Sequence, residues 1–328
     1  IQYTMQIIMS FLMICMISIM LPRAAVAADR VDEILTSRTA IEDPKTPEKL
    51  EESRKGEVKF DHVSFRYPGA EEDVLHDISF TAKPGQTTAI IGSTGSGKST
   101  MINLIPRFYD VTEGTITLDG KDIRKIKLKD LRDHIGIVQQ DVYLFAGNIM
   151  ENIRYGRPDA TDEDVIRAAK LANAHDFMMK EAAEIAQATE FIEEKHKKYE
   201  SPIAQGGSNV SGGQKQRLSI ARAIAKKPKV YIFDDSFSAL DYKTDVTLRA
   251  ALKEKTQDST VIIVAQRIST ILHAEQIIVL DDGKIAGIGT HKELLKSCDA
   301  YYQIASSQLS EAELARDLNN ENDGKEEA

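Results

Sequence analysis

The sequence is poor in several residue types, and each shortage excludes a class of protein. Its 328 residues include no tryptophan, two cysteines and only 6% aromatic residues. Cys15 and Cys298 are too far apart in the chain to predict a disulfide framework or a cysteine metal site, so we expect a reducing compartment. With 42% hydrophobic and 28% charged residues, the chain is neither wholly disordered nor a small disulfide-stabilised scaffold.

An excess of positive charge is also missing. The formal net charge is −9, and residues 311–328 carry seven acidic side chains against Arg316 and Lys325. More than half of the negative excess therefore lies in the C-terminal tail, and the rest of the chain is close to neutral. This balance excludes a basic nucleic-acid-binding face, so no nucleic acid partner is expected.

Charged residues are absent from positions 1–21. At about 1.5 Å per residue, this apolar run can cross a hydrocarbon core about 30 Å thick, which predicts a transmembrane helix. A secretory signal peptide is the alternative, since residues 24–28 (AAVAA) resemble a cleavage site. Nothing basic precedes the run and Arg23 follows it, which favours a membrane helix that exits on the cytoplasmic side. We interpret the run as the last span of a longer membrane protein.

Beyond the apolar run, the pattern indicates a linker and a large domain. Residues 24–35 keep helical spacing, Pro44 and Pro47 interrupt it, and a domain boundary is predicted near Gly56. The predicted organisation is the end of a transmembrane domain (1–22), a cytosolic helix extension with a linker (23–56), a large domain (57–308) and an acidic disordered tail (309–328).

The large domain begins with strand patterns. Alternation over 58–65 and 74–82 predicts antiparallel strands, and the short apolar runs 89–91 and 230–233 predict buried parallel strands. A mixed α/β core is therefore expected.

Helical patterns fill the middle of the large domain. Residues 161–198 and 213–225 are amphipathic at helical spacing, which predicts a helical subdomain at about 141–228. Residues 168–181 are also partly repeated in 182–195. The repeat is either a local duplication that lengthens a helix or a coincidence in an alanine-rich segment, and we assign it no chemistry.

The most specific motif is GSTGSGKS at residues 92–99, which follows the apolar run TTAII and precedes a helical pattern. Its glycines allow a tight turn whose backbone N–H groups point at phosphate oxygens. Lys98 adds a mobile positive charge, and the Ser99 hydroxyl is a ligand for Mg²⁺.

Two weaker motifs follow. The run VYIFD delivers Asp234 to the end of a strand, where it can hold Mg²⁺ through water. The segment VSGGQ, residues 210–214, precedes an amphipathic helix. Its backbone N–H groups, the Ser211 hydroxyl and the positive helix end suit the terminal phosphate of a nucleotide held by another chain.

Together these motifs resemble those of the ATP-binding cassette (ABC) family, and within it the exporters of drugs, lipids or peptides whose membrane and nucleotide-binding domains are fused. The resemblance covers residues 56–307 and the preceding apolar run. By resemblance, GSTGSGKST is the Walker A loop, VYIFD the Walker B strand, VSGGQ the signature and SALD (238–241) the D-loop. It implies an α/β fold, a P-loop NTPase core of ABC type with an antiparallel β subdomain and a helical subdomain, preceded by a transmembrane helix.

Three further positions follow from the resemblance. Tyr67, in FRYPG, matches the aromatic residue on which adenine stacks. Gln140 matches the Q-loop glutamine that ligates Mg²⁺, since its spacing to Asp141 favours it over Gln139. Residues 144–156 look like the exporter segment that contacts the membrane domain.

The resemblance thus divides the site residues into two groups. Those assigned to ATP in this chain's own site are Tyr67, Gly92, Ser93, Thr94, Gly95, Ser96, Gly97, Lys98, Ser99, Thr100 and Asp234, with Ser99, Gln140 and Asp234 at Mg²⁺. Those assigned to the ATP of a partner chain are Val210, Ser211, Gly212, Gly213, Gln214 and Asp241.

Two catalytic positions depart from the family pattern. Asp235 stands where the family has a catalytic glutamate, and Gln266 stands where the switch loop has a histidine. Aspartate holds its carboxylate about 1 to 1.5 Å further back than glutamate, and a misplaced base can cost about 100-fold in rate. Glutamine donates a hydrogen bond but carries no positive charge. The pair predicts a site that binds ATP better than it cleaves ATP, unless it is a drifted but working pair.

The resemblance then implies partners and a location. ABC cassettes pair head to tail, so a weakened own site with an intact signature indicates one half of a heterodimeric exporter in the cell membrane, its nucleotide-binding domain on the cytoplasmic side. A homodimeric exporter with slow hydrolysis is the alternative. A non-transport ABC ATPase of DNA maintenance, a regulatory ATP-binding module and an importer ATPase are disfavoured, because those chains have no fused span.

Overall fold

The computed structural model describes residues 1–51, 53, 55–172, 174, 199–238, 240, 248–250, 252–253, 256–310, 312–314 and 316. The chain divides into two units, residues 1–42 and residues 43–328.

The first unit contains one long helix, α1 (Gln2–Thr36), of 35 residues. At 1.5 Å per residue it is about 52 Å long. It is long and apolar enough to cross a membrane, with a window of mean hydropathy 2.2. Within the apolar run, the hydroxyls of Ser10 and Ser18 donate to the carbonyls of Gln6 and Ile14, both at 2.9 Å. These bonds satisfy the two serine hydroxyls within the helix, and the helix continues past Pro22 as the spacing predicts.

The second unit is built on two larger sheets and a short two-stranded one. The strands among its described residues are β1 (Val58–Phe65), β2 (Leu75–Ala82), β3 (Thr87–Gly92), β4 (Glu113–Leu118), β5 (Lys121–Asp122), β6 (Ile135–Val138), β7 (Gly147–Asn148), β8 (Pro202–Ile203), β9 (Val230–Asp234), β10 (Thr260–Val264), β11 (Gln276–Asp281) and β12 (Lys284–Gly289). The four-stranded sheet has the order β2-β1-β4-β5 and is antiparallel, as the alternation predicts for β1 and β2.

The six-stranded sheet has the order β12-β11-β3-β10-β9-β6. From β11 to β6 all neighbours are parallel, and β12 pairs with β11 antiparallel. The apolar runs predicted as buried parallel strands are therefore β3 and β9, and β10 lies between them. Every residue of β9 and β10 is buried, because helices and the other sheet cover both faces.

The helices in the described part of the second unit surround this sheet. They are α2 (Lys98–Leu104), α3 (Leu128–Asp133), α4 (Ile149–Arg154), α5 (Asp162–Leu171), α6 (Gly212–Lys226), α7 (Ile268–Ile271), α8 (His291–Ser297) and α9 (Asp299–Gln308), with short 3₁₀ turns at Ile123–Lys125 and Gln205–Gly207. Helix α6 confirms the pattern at 213–225. Of the segment 161–198, the described part forms α5, and most of the 14-residue repeat lies outside the described residues.

The core has two layers, one on each face of the six-stranded sheet. Alternate side chains of a strand point to opposite faces. Ile90, Ile232 and Ile262 therefore pack with α2 and the four-stranded sheet, whereas Phe233 and Ile263 pack with the helical side. The chain thus has an α/β core, an antiparallel sheet on one face of the six-stranded sheet and helices α4 to α6 on the other. With the apolar helix that precedes them in the chain, these features confirm the predicted fold class.

The described part of the C-terminal tail departs from the expectation of disorder. Ser310 and Glu313 hydrogen bond to each other, and Leu314 is only 7% exposed and belongs to the core cluster on the helical side. The tail pattern missed Leu314 because Leu309, Leu314 and Leu318 are the only large apolar residues of the tail, too few to predict a packed segment. Residues 317–328 lie outside the described part of the chain.

Candidate functional site

The glycine-rich loop turns sharply between β3 and α2. Gly95 and Gly97 have φ of 86° and 94°, a left-handed conformation that glycine adopts at little cost. A Cβ on Gly97 would lie 2.7 Å from Leu75 Cδ2, and one on Gly92 would lie 2.1 Å from the Leu280 carbonyl oxygen. Larger residues at these positions would displace β2 or β11, so the loop needs glycine for packing as well as for its turn.

The Lys98 side chain lies back over this loop. Its Nζ donates to the carbonyl oxygens of Gly92 and Ser93, at 2.9 and 2.6 Å. Partial burial lowers the pKa of Lys98, and the nearby Asp234 and Asp235 carboxylates oppose that shift. A cation whose partners are mainly carbonyl dipoles fits a site for a strongly anionic ligand.

The first carboxylate stands at the carboxyl end of β9. Asp234 is 7% exposed, and its Oδ1 accepts a hydrogen bond of 3.3 Å from Ser99 Oγ. Burial raises the pKa of Asp234, Asp235 and Asp141 raise it further, and the Ser99 bond and Lys98 lower it. A hydroxyl and a carboxylate oxygen beside a phosphate loop form the oxygen donor set that Mg²⁺ prefers, so these residues fit that ion.

The second carboxylate follows immediately and is bonded to the switch-loop glutamine. Asp235 has a φ of 46°, and its amide donates to the Val264 carbonyl at the end of β10. Gln266 Nε2 donates to Asp235 Oδ2 at 2.9 Å. Burial raises the pKa of Asp235, whereas Ser238, Arg267 and Lys98 lower it. The two residues that depart from the family pattern are therefore direct partners.

These side chains line one cavity of about 510 Å³. The cavity brings together the glycine-rich loop, Gln140, Asp234, Asp235 and Gln266. It forms at one edge of the sheet because the carboxyl ends of β3, β6, β9 and β10 all meet there.

Among the cavity residues that sequence reasoning missed, three belong to α9. They are Ile304, Ser307 and Gln308. Gln308 accepts a hydrogen bond from the Ile268 amide and donates one to the Gln266 carbonyl, both at 2.9 Å. No motif marks these positions in the sequence, because a polar residue near the end of a helix gives no signal of its own.

Tyr67 lies near the loop but does not line the cavity. Its hydroxyl is 3.0 Å from Thr100 Oγ1 on α2, and its ring makes edge contacts with Phe65 and Tyr109. The ring is half-buried and held in place. Its proposed stacking on adenine stays a prediction.

The segment VSGGQ lies outside the cavity. Ser211 caps α6: its Oγ accepts from the Gln214 amide and its own amide donates to Gln214 Oε1. Ser211 and Gly212 are exposed, and a Cβ on Gly212 would meet nothing within 4 Å. Val210, Gly213 and Gln214 adjoin this surface, whereas Asp241 lies outside the described residues.

The predicted membrane-domain contact, residues 144–156, is joined to the signature helix. Arg222 of α6 donates to the carbonyls of Asn152 and Tyr143 and to Asn152 Oδ1. Its guanidinium also lies over the rings of Phe145 and Tyr155, both substantially exposed. The aromatic surface and α6 are therefore held together by a half-buried cation.

Comparisons with known proteins agree with this geometry. The model of the ABC transporter family matches residues 75–238. The chain is 44% identical to an uncharacterized ABC transporter ATP-binding protein of Mycobacterium tuberculosis, over 93% of this chain and 50% of that protein. It is 45% identical to a Staphylococcus aureus protein named for multidrug export ATP-binding/permease function, over 78% of this chain and 42% of that protein.

A solved structure is also similar. That of a bacterial Atm1-family ABC exporter with ATP bound superposes with a TM-score of 0.79 at 33% identity, covering 89% of this chain and 48% of that one. The chain spans about half the length of the relatives it matches. The chain belongs to the ABC transporter family, and the domain it contains is the family's ATP-binding, ATPase domain.

Proposed function

We propose that the chain is the last membrane helix and nucleotide-binding domain of an ABC exporter subunit whose own site binds ATP and hydrolyses it slowly. The proposal of slow hydrolysis rests on one observation, the 2.9 Å hydrogen bond from Gln266 Nε2 to Asp235 Oδ2. The short carboxylate is tied to a neutral amide, where the family places a longer carboxylate and an imidazole.

The polar residues of the cavity, and Tyr67 beside it, have roles in this proposal. The loop amides and Lys98 bind the phosphates, and Tyr67 supports the adenine. Ser99, Asp234 and Gln140 would hold Mg²⁺, which offsets phosphate charge when bound. The Gln266 amide has two N–H groups, so it can serve both Asp235 and the terminal phosphate.

The signature supports a second part of the proposal. Ser211 and Gly212 are exposed at the start of α6 and lie outside the chain's own cavity. A pre-organised helix N-terminus of this kind can complete a site on another chain. We propose a heterodimer in the cell membrane with cassettes on the cytoplasmic side, in which the partner's site does most of the hydrolysis. The exported substrate is a small molecule, lipid or peptide.

The test restores the family residues. The chain carrying Asp235→Glu and Gln266→His, at a concentration at which it dimerises, should release phosphate about 100-fold faster than the wild-type chain, because the base then reaches its water. ATP affinity should change little. Asp159→Glu, at an exposed position, is the matched control.

The alternative makes a different prediction. If the wild-type chain hydrolyses ATP briskly by itself and Asp235→Asn abolishes that activity, the chain is a homodimeric enzyme with a working aspartate. Phosphate release by the wild-type, Asp235→Asn and restored chains decides between the two.

A further inference from the structure

Helix α9 ends beside the switch loop, here residues 265–267. Gln308 is the final residue of α9, and its side-chain amide makes two hydrogen bonds to backbone groups on either side of Arg267. Ile268 N donates to Gln308 Oε1 and Gln308 Nε2 donates to the Gln266 carbonyl, both at 2.9 Å.

The chemistry of the two backbone groups determines which way this amide points. A backbone N–H can only donate and a carbonyl can only accept, so the Gln308 oxygen must face Ile268 and its nitrogen must face Gln266. Neither carboxylate nor hydrocarbon can make the same pair of bonds.

We call the two Gln308 hydrogen bonds the clamp. The Ile268 amide, which the clamp holds, needs a hydrogen-bond acceptor from outside its own helix. Helix α7 starts at Ile268, and its N-cap residue Arg267 makes no side-chain capping bond. The first amides of a helix lack partners within it. Gln308 supplies one for Ile268, from 40 residues further along the chain.

The end of α9 is itself anchored. Tyr301 and Ala305 on the same helix are fully buried. After the helix, Leu309 packs against the core and Leu314 is buried within it. The Gln308 backbone is therefore held from both sides, so its side chain can act as a fixed support.

The clamp leads directly to the candidate catalytic pair. The Gln266 carbonyl is held by Gln308 while the Gln266 side chain donates to Asp235. We propose that Gln308 is a positioning residue of the nucleotide site, which orients Gln266 toward the terminal phosphate of ATP. The proposal rests on the proposed function, because it assigns the cavity to ATP.

The readout is the preference of the chain for ATP over ADP, since ADP lacks the terminal phosphate. Gln308→Ala should weaken ATP binding about fivefold, the scale of one lost hydrogen bond, and leave ADP binding unchanged. Gln308→Glu retains the acceptor for Ile268 but cannot donate to Gln266, so it should reduce the preference as well. Gln303→Ala, an exposed glutamine on the same helix, is the matched control.

A double-mutant cycle separates positioning from general support of the fold. Once Gln266→Ala has removed the side chain that Gln308 orients, adding Gln308→Ala should not lower the ATP preference further. The Ile268 amide should exchange its hydrogen faster in Gln308→Ala than in the control, as loss of its acceptor requires.

The outcomes distinguish the two proposals. A wild-type chain that binds neither nucleotide would overturn both the proposed function and the clamp. A wild-type chain that binds ATP, together with an unchanged ATP preference in Gln308→Ala or additive effects in the cycle, would overturn the clamp alone.

Discussion

The phosphate loop and the signature are both glycine-rich turns that lead into a helix, yet their surroundings differ. The phosphate loop is enclosed by strand ends, two aspartates and the end of α9, which together line a cavity. The signature is an exposed helix start that lies outside that cavity, and a side chain on Gly212 would meet open space. One turn is part of a site assembled within the chain, and the other, in the function proposed above, presents groups for a site on another chain.

The largest expected effect tests the cavity around the phosphate loop. Lys98→Ala should reduce ATP binding by the chain by at least about 100-fold, because it removes the mobile cation that serves the phosphates. Equilibrium binding of labelled ATP measures it, with the exposed Lys83→Ala as control. An unchanged dissociation constant would refute the assignment of the loop.

The next effect tests whether the signature acts on another chain. In the chain restored with Asp235→Glu and Gln266→His, Ser211→Ala or Gly212→Asp should lower phosphate release about 100-fold while leaving ATP binding intact. Gly212→Asp is a clean variant because the added side chain has room.

Mixing two inactive variants shows directly whether the signature acts on another chain. A restored Lys98→Ala chain and a restored Ser211→Ala chain should each be inactive alone, and equal amounts should recover activity, since the mixed dimer has one intact composite site. No recovery would mean that the signature serves its own chain.

Tyr67→Ala should have a moderate effect on ATP binding at the phosphate loop. Loss of stacking should weaken ATP binding by about 1 to 2 kcal/mol, the scale of base–aromatic contacts. Tyr67→Phe is the matched control, since it keeps the ring and removes only the hydroxyl that contacts Thr100. Equal losses in both variants would show that the hydroxyl, and not the ring, matters.

Truncation of the C-terminal tail tests whether its described part belongs to the packed core. Truncation after Ser310 removes Leu314 and should lower the melting temperature by roughly 5 °C, given the apolar surface that one leucine buries. Truncation after Arg316 retains Leu314 and should change it little. Equal melting temperatures for the two would show that Leu314 contributes nothing.

The smallest effect concerns the stability that the fold loses by burying the Asp234 carboxylate. Burial raises the pKa of Asp234, so the folded state gains from its protonated form below the ordinary pKa and loses that gain as pH rises through the raised value. Asp234→Asn should therefore raise the melting temperature of the nucleotide-free chain slightly at pH 7 and less at pH 4. Thermal unfolding at both values checks it, and a lower melting temperature at pH 7 would contradict the burial argument.

The local elements of this protein can be predicted from its amino-acid sequence. Periodicity and glycine spacing predicted α1, β1, β2, the phosphate loop and α6, because each depends on neighbours within a few turns or residues. Family resemblance then identified Asp235 and Gln266 as departures. Their contact could not be predicted, since they are 31 positions apart.

The surroundings of the phosphate loop depend on contacts between distant parts of the chain. Strand order places β10 between β3 and β9, and so brings Gln266 beside Asp235. The packing of α9 places Gln308 against the switch loop, and the burial of Leu314 extends the core into a segment whose composition predicts disorder. Such contacts join residues distant in the chain, and they form because parallel strands present their ends at one edge and buried surface selects what packs there.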